Sequence, residues 1–438
     1  MEIDKTTIKD LDIFEKDGQD SIFKKFDHTI TTGGSIKLND IFRHPLKSII
    51  EIKNIQDTLI QIASLKDHWP KTITNGTLMV VHKYYETSLD QIPAYPSITQ
   101  ALKYKLLHFP DFSLVKYSGS HAFDLIKGMN SISIHFKVDN NPPPLQKVID
   151  NINNILNKEQ FHSIIKKEKF EDLSLPELLS FCYFIRYIYK ENIYHLIDLF
   201  YQLDAWRSMG IAIKEYNLSL PVFIESNTPH IRSKDLYHIL LPKPVSYHIE
   251  LNEENNFIFL TGANMAGKST FIKSVGCAVF LAHLGMGVPA KELELSLFDG
   301  MLSNINVEDN ISKGESFFYN EVQRIKNTII KITDGRKWLV LIDELFKGTN
   351  VEDSMTCSTA VIKGLIKIKS SLFILSTHLY EIGEELKKYP NISFKYFETT
   401  VDKEQLYFSY QLQNGISNDR LGYLILKREK VIELLDRI

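Results

Sequence analysis

Residues 261–270 read Thr261-Gly262-Ala263-Asn264-Met265-Ala266-Gly267-Lys268-Ser269-Thr270. Gly262, Gly267, Lys268 and Ser269 complete the pattern G-x-x-x-x-G-K-[ST], a loop that cradles nucleotide phosphates. The apolar run Phe257–Leu260 before it suits a buried strand, and Phe271–Leu284 after it is apolar at helical spacing. The loop is therefore predicted between a strand and a helix. Its glycines allow backbone N–H groups to close round phosphates, and the helix N-terminus adds positive charge. Asn264, Met265, Ala266 and Thr270 complete the predicted phosphate-binding set. Lys268 is placed to reach the β- and γ-phosphates of ATP, and Ser269 to ligate Mg²⁺.

Outward from this loop, Trp338-Leu339-Val340-Leu341-Ile342-Asp343-Glu344 supplies an apolar strand ending in two acids, about seventy-five residues downstream. Open α/β sheets bind ligands at strand C-termini. Asp343 is the expected second magnesium-side ligand and Glu344 the group that polarises the attacking water. A third apolar run, Leu372–Thr377, ends at His378. At a strand end beside the other motifs, His378 is expected to contact the γ-phosphate or the water. Lys268, Glu344 and His378 thus form the candidate catalytic set.

The chain has 438 residues, 44% of them hydrophobic and 24% charged, with a formal charge of −3. That length predicts two or three domains. The balance gives no whole-molecule nucleic-acid signal, which would be basic. The lysines Lys166, Lys167 and Lys169 interleave with Glu168, Glu171 and Asp172, as on a solvated helix face. No apolar run approaches the roughly 20 residues of a membrane helix. The start of the chain is not of signal-peptide type, and Cys182, Cys277 and Cys357 are isolated. A cytoplasmic location without membrane association is expected.

Three regions emerge: a mixed N-terminal segment, 1–27; a mainly helical region, 28–217; and an α/β region, 218–438. Amphipathic helical stretches are predicted at Leu46–Leu65, Leu145–Ile155 and Leu175–Lys214, with a break at Asn140-Asn141-Pro142-Pro143-Pro144. After Leu218, short apolar runs (Phe257–Leu260, Trp338–Ile342, Leu372–Ser376, Gln405–Leu412) alternate with helices. This predicts an α/β fold with a mostly parallel sheet.

Together these residues resemble the MutS-type DNA mismatch-repair ATPases, in which Asn-Met inside the phosphate loop is distinctive. Asp309-x4-Gly314-x-Ser316-x-Phe318-x-x-Glu321 resembles the family's signature segment. Asp343 to Asn350 resembles its acidic strand and loop, and Ser376-Thr377-His378 its histidine switch. Tyr410-x4-Gly415-x-Ser417 and Leu421-Gly422 resemble its closing segment. Upstream, Thr31-Thr32-Gly33-Gly34-x3-Leu38 with Pro45-Leu46, and Leu203-Asp204-Ala205-Trp206-x-Ser208, are similar to parts of its helical core and lever.

The resemblance implies an ABC-type ATPase domain behind a helical core and lever domain. It also implies a homodimer sandwiching two nucleotides, with Ser316 reaching the partner's γ-phosphate. From sequence alone, Ser316 reads equally as a helix cap before Phe317-Phe318. DNA is the implied partner, and ATP and Mg²⁺ the implied ligands. The chain departs from the family in several places. It enters the helical core almost at once, which leaves no room for the N-terminal mismatch-reading domain or connector. The clamp is expected to be reduced or absent. Phe223-Ile224-Glu225 matches the Phe-x-Glu reader tripeptide in the wrong place. Ile36 and Lys347 stand where arginine is common. A C-terminal helix-turn-helix extension is not expected. The main expectation is a DNA-acting ATPase. The alternative is an ATP-driven switch on a protein partner. A transporter cassette is disfavoured because Lys313-Gly314-Glu315-Ser316-Phe317 lacks the Leu-Ser-Gly-Gly-Gln form.

Overall fold

The computed structural model describes the chain except residues 16, 17, 19, 66, 67, 138, 139, 307–316, 403, 404, 418–430, 432, 433 and 435–438. It divides into two compact units. One comprises Met1–Phe26, His44–Lys53 and Ile213–Ile438; the other comprises Asp27–Arg43 and Asn54–Ala212.

The first unit is built on a seven-stranded, mostly parallel sheet, as the strand–helix alternation predicts. Its strands are β1 (Glu2–Ile3), β5 (Phe257–Thr261), β7 (Gly300–Asn304), β8 (Trp338–Asp343), β9 (Ser371–Ser376), β10 (Ile392–Asp402) and β11 (Gln405–Asn414). The order is β1-β7-β8-β9-β5-β10-β11, and only the β10–β11 pair is antiparallel. Strands β5, β8 and β9 are buried along their whole length, which is why they read as continuous apolar runs rather than alternating ones. The helix Lys268–His283 is almost wholly buried, and it packs against β8 and β9. Elsewhere Phe257, Phe259, Trp338, Val340, Ile342, Phe373 and Leu375 share a core that includes Ile325, Ile362 and Ile382 from three further helices. Burying each such side chain contributes about 1.5–3 kcal/mol.

A second sheet in this unit runs β2-β6-β3-β4, from β2 (Val222–Ile224), β3 (Ile231–Leu236), β4 (Tyr247–Leu251) and β6 (Glu292–Ser296). Phe223 and Ile224 belong to its edge strand β2, paired in parallel with β6, so that tripeptide is a sheet element.

The sequence pattern sets residues 1–27 apart, whereas residues 1–26 pack into this unit. β1 pairs with β7, and Asp10, 1% exposed, accepts from the Ser303 hydroxyl (2.5 Å), Ile305 N (3.0 Å) and Asn306 N (3.1 Å). A buried carboxylate is stable only when hydrogen-bonded in this way. Arg324 adds a charged donor to the same carboxylate at 3.4 Å.

The second unit is helical among its described residues. Its longest helix, Phe109–His135, packs against Asn75–Glu86, Pro143–Leu156 and Leu175–Tyr183. The proline run does not simply break a helix. Pro143 and Pro144 occupy the first turn of Pro143–Leu156, where their missing N–H groups cost nothing. The predicted helix Leu175–Lys214 is two helices, Leu175–Tyr183 and Lys190–Glu215, joined by a π-helical stretch, Phe184–Ile188. Arg186 in that stretch donates to the carbonyls of Tyr84 and Thr87 and lies over the Tyr84 ring, so tertiary bonding replaces regular helix there.

Two of the upstream motifs meet in this unit. Asp204, fully buried, accepts from Ile30 N (3.1 Å), Thr31 N (3.0 Å) and the Thr31 hydroxyl (2.7 Å). Gly34 must be glycine here, because a Cβ would lie 2.3 Å from the Asp204 carboxylate. Ser208, one turn on, accepts from His28 N at 2.7 Å. No helix among the described residues is long and apolar enough to cross a membrane.

Candidate nucleotide site

The phosphate loop leaves β5 and turns into the helix Lys268–His283. Its geometry depends on Gly267, which holds φ +109° as the residue capping that helix. Met265 also adopts a left-handed φ of +68°, with its side chain exposed. Lys268, only 6% exposed, donates to the carbonyls of Gly262 (2.9 Å) and Ala263 (3.0 Å). Burial pulls its ammonium down to about 8, against the opposing charges of Glu344 and Asp343.

Adjacent parallel strands bring the acids alongside. Asp343 ends β8 next to Ser376 at the end of β9. Its Oδ2 accepts from the Ser269 hydroxyl at 2.5 Å, while its Oδ1 accepts from the Ser376 hydroxyl. Glu344 follows with φ +67°, an uncommon backbone conformation that lifts it off the strand line, and its N–H donates to Ser376 O at 2.9 Å. Burial would raise the Glu344 carboxyl. Bonding to His378 Nε2 (2.8 Å) and Lys347 Nζ (3.2 Å) outweighs that and holds it down at about 2.

Lys268, Ser269, Asp343, Glu344 and His378 line one cavity of about 730 Å³, together with Asn264, Met265, Gly267 and Thr270. Gly262 and Ala266 shape the loop itself. Ser316, with Asp309, Gly314, Leu421 and Gly422, lies outside the described residues. The hard oxygens of Ser269 and Asp343 suit a magnesium ion, and the cationic, N–H-rich loop suits phosphates. The donor set therefore fits the groups that the sequence implies.

Several participants stand in the quoted motifs without a role assigned to them from sequence. Ser376 holds Asp343, Lys347 reaches Glu344, and Glu321, 2% exposed, accepts from Lys347 N and Gly348 N at 3.1 Å each. Glu321 thereby ties the helix Phe317–Ile332 to the loop after β8. Tyr410, with φ +54°, lines the cavity opposite Gly267. The closing segment contributes Ser417, whose N–H donates to the Thr261 hydroxyl at 2.9 Å. The sequence signal for Ser376, Tyr410 and Ser417 was their place in motif-like segments; their contacts were not readable.

Residues 258–433 match the family described as MutS domain V. The chain is 29% identical over 254 residues to the DNA mismatch repair protein MutS of Petrotoga mobilis, covering 57% of this chain and 31% of that protein. It is 30% identical over 234 residues to the protein of the same name in Pseudothermotoga lettingae, covering 52% and 28%. It is 28% identical over 289 residues to human MutS protein homolog 4, covering 61% and 30%. The chain thus matches less than a third of the length of these relatives.

Proposed function

We propose that this chain, whose residues 258–433 match MutS domain V, is a short MutS-family member that binds ATP and Mg²⁺ in the cavity at the ends of β5, β8 and β9, hydrolyses the nucleotide, and acts on DNA as a dimer. The observation that carries this reading is the convergence of Lys268, Ser269, Asp343, Glu344 and His378 on one cavity. Lys268 would pair with the β- and γ-phosphates, while Gly262 to Thr270 wrap the chain of phosphates with backbone N–H groups. Ser269 and Asp343 would hold the magnesium ion, which supplies charge neutralisation on the transferred phosphoryl group.

Glu344 would orient the attacking water and take up its proton, through a carboxylate that stays ionised because His378 and Lys347 bond it. His378, next to both Lys268 and Glu344, would sense the γ-phosphate. Ser316 from a second copy would complete the site. That arrangement makes closure of the dimer depend on ATP, since the nucleotide contacts both halves. The helical unit, Asp27–Arg43 with Asn54–Ala212, is the arm expected to move on DNA.

The test is steady-state ATP hydrolysis at fixed salt, without DNA and with perfect duplex, mismatched duplex or a four-way junction. Wild type should turn over ATP, and Glu344→Gln should bind it while losing about a hundredfold or more in rate. DNA should stimulate the rate, with a salt-sensitive dependence from counterion release. Turnover unchanged in Glu344→Gln would remove that residue from the mechanism. Indifference to all three DNAs would remove DNA as the partner.

A further inference from the structure

The loop that begins at Glu344 is held in shape from outside the nucleotide cavity. Glu344 has φ +67° and Phe346 φ +58°, so two of three successive residues, neither of them glycine, stand in the left-handed region. Residues keep such conformations only where their surroundings hold them there. At one end of the loop Glu344 N donates to Ser376 O. At the other, the Asn350 side chain caps the helix Val351–Leu365 by accepting from Asp353 N at 2.9 Å. Between these anchors the chain is gripped by the helix Phe317–Ile332.

Two side chains one turn apart on that helix make the grip. Phe318 packs its ring against the buried Phe346, 5.7 Å between centroids. Glu321 spreads its two oxygens over consecutive backbone groups: Oε1 accepts from Lys347 N and Oε2 from Gly348 N, at 3.1 Å each. Two converging N–H groups need two acceptor oxygens, which a carboxylate offers and an amide does not. The helix is itself anchored to the sheet. Arg324, one turn after Glu321, donates to Ser303 O (3.1 Å) in β7 and to Asn306 O (2.9 Å) just past it.

Glu321 does not line the nucleotide cavity, so its route to the chemistry runs through the backbone it holds. Lys347, whose N–H it accepts from, extends Nζ to Glu344 Oε2 at 3.2 Å, while Glu344 Oε1 lies 2.8 Å from His378 Nε2. Fixing the chain at residues 347 and 348 therefore fixes both the turn that Glu344 starts and one of the two groups bonded to its carboxylate. We propose that Glu321 is a positioning residue for hydrolysis, holding this loop so that Glu344 is aimed into the cavity. The proposal rests on the reading of Glu344 as the group that activates water. An acid that merely stabilised the fold would affect nucleotide binding and turnover alike, and independently of Glu344.

The experiment measures ATP affinity and single-turnover hydrolysis in the full chain, for Glu321→Ala, Glu321→Gln, Glu344→Gln and each Glu321 variant combined with Glu344→Gln. Glu321→Ala should slow hydrolysis about 10- to 100-fold, the scale of a small misplacement of a reacting group, with the ATP Kd within about threefold of wild type. Glu321→Gln, equal in size, keeps one acceptor and should fall between that variant and wild type. Combined with Glu344→Gln, either change should slow hydrolysis by less than about threefold more, because the two losses share one route. A full-sized further loss in the Glu344→Gln background would overturn the proposal. So would wild-type hydrolysis in both single Glu321 variants, or a loss of ATP affinity as large as the loss of rate. If Glu321→Ala melts below the assay temperature, Glu321→Gln carries the same comparison. Wild-type turnover in Glu344→Gln alone is a separate failure: it removes the reading of Glu344, and the proposal with it.

Discussion

His378 Nε2 lies 2.8 Å from Glu344 Oε1 and 3.3 Å from Lys268 Nζ, so a single ring nitrogen stands between an acid and an ammonium. It can donate to Glu344 or accept from Lys268, but one proton position serves only one of these bonds. Replacing His378 with alanine should therefore lower hydrolysis by about 10- to 100-fold while changing ATP affinity less than about threefold. An equal loss in both quantities, read from turnover and from nucleotide titration, would make His378 a binding residue instead.

The Lys268 ammonium titrates near 8, within reach of ordinary buffers. Phosphates bind the charged form, so raising the pH through 8 should weaken ATP binding, by about tenfold between pH 7 and pH 9. Binding should also take up protons around pH 8, because bound phosphates raise the lysine again. Calorimetry in buffers of different ionisation heat measures that uptake. A pH-independent Kd with no proton uptake would contradict the assignment.

Lys347 holds Glu344 at 3.2 Å from the exposed side of the cavity. Lys347→Ala should raise the Glu344 carboxyl, shifting the acid limb of the hydrolysis profile to higher pH. Lys347→Arg should restore it. An unmoved acid limb in Lys347→Ala would show that His378 alone fixes the ionised state.

Asp204 satisfies two backbone N–H groups and a hydroxyl around Thr31. Asp204→Ala leaves those donors buried and unpaired, and it should cost about 2–4 kcal/mol. Urea unfolding followed by fluorescence would report this as a lowered midpoint. A change below about 0.5 kcal/mol would mean that water replaces the carboxylate.

His283 is fully buried, its Nδ1 donating to Val279 O at 2.9 Å and its Nε2 accepting from Phe298 N at 3.1 Å. The bond that Nε2 accepts needs the neutral ring, and burial above all lowers it to about 4 from an ordinary 6.5. Its folded value lies below its unfolded one. The stability it contributes is therefore fully present above pH 6.5 and lost as the pH falls from 6.5 towards 4, by up to ~3 kcal/mol. His283→Gln should be less stable at pH 7 yet show a shallower loss between pH 6.5 and 5. Parallel stability–pH curves for the two proteins would contradict this.

The features legible in the sequence are those imposed by local geometry. Buried parallel strands demand the continuous apolar runs at Phe257, Trp338 and Leu372, and a phosphate loop demands Gly267 where φ is positive. The strand pattern thus gave the sheet, and the loop pattern gave the position of the cavity. Contacts between distant segments left no such mark. The motifs mark Ser376 and Glu321 but not their contacts: Ser376 meets Asp343 only when β8 and β9 are set side by side, and Glu321 meets Lys347 N only in the folded chain. The stretch Phe184–Ile188 keeps helical periodicity, and only Arg186 bonding to Tyr84 and Thr87 shows why it is π-helical.

The Asp10 carboxylate bonds a serine 293 positions further along the chain. At about 5–20 residues per second, the ribosome makes that partner roughly 15–60 s after Asp10 itself. During that interval β1 and its helix have no sheet edge to join, and the carboxylate stays in water. β1 can pair only once β7 has been made, so the N-terminal segment joins its sheet after all the residues of the helical unit have been synthesised. The helical unit, whose Asp204–Thr31 clasp spans 173 positions, can close well before then.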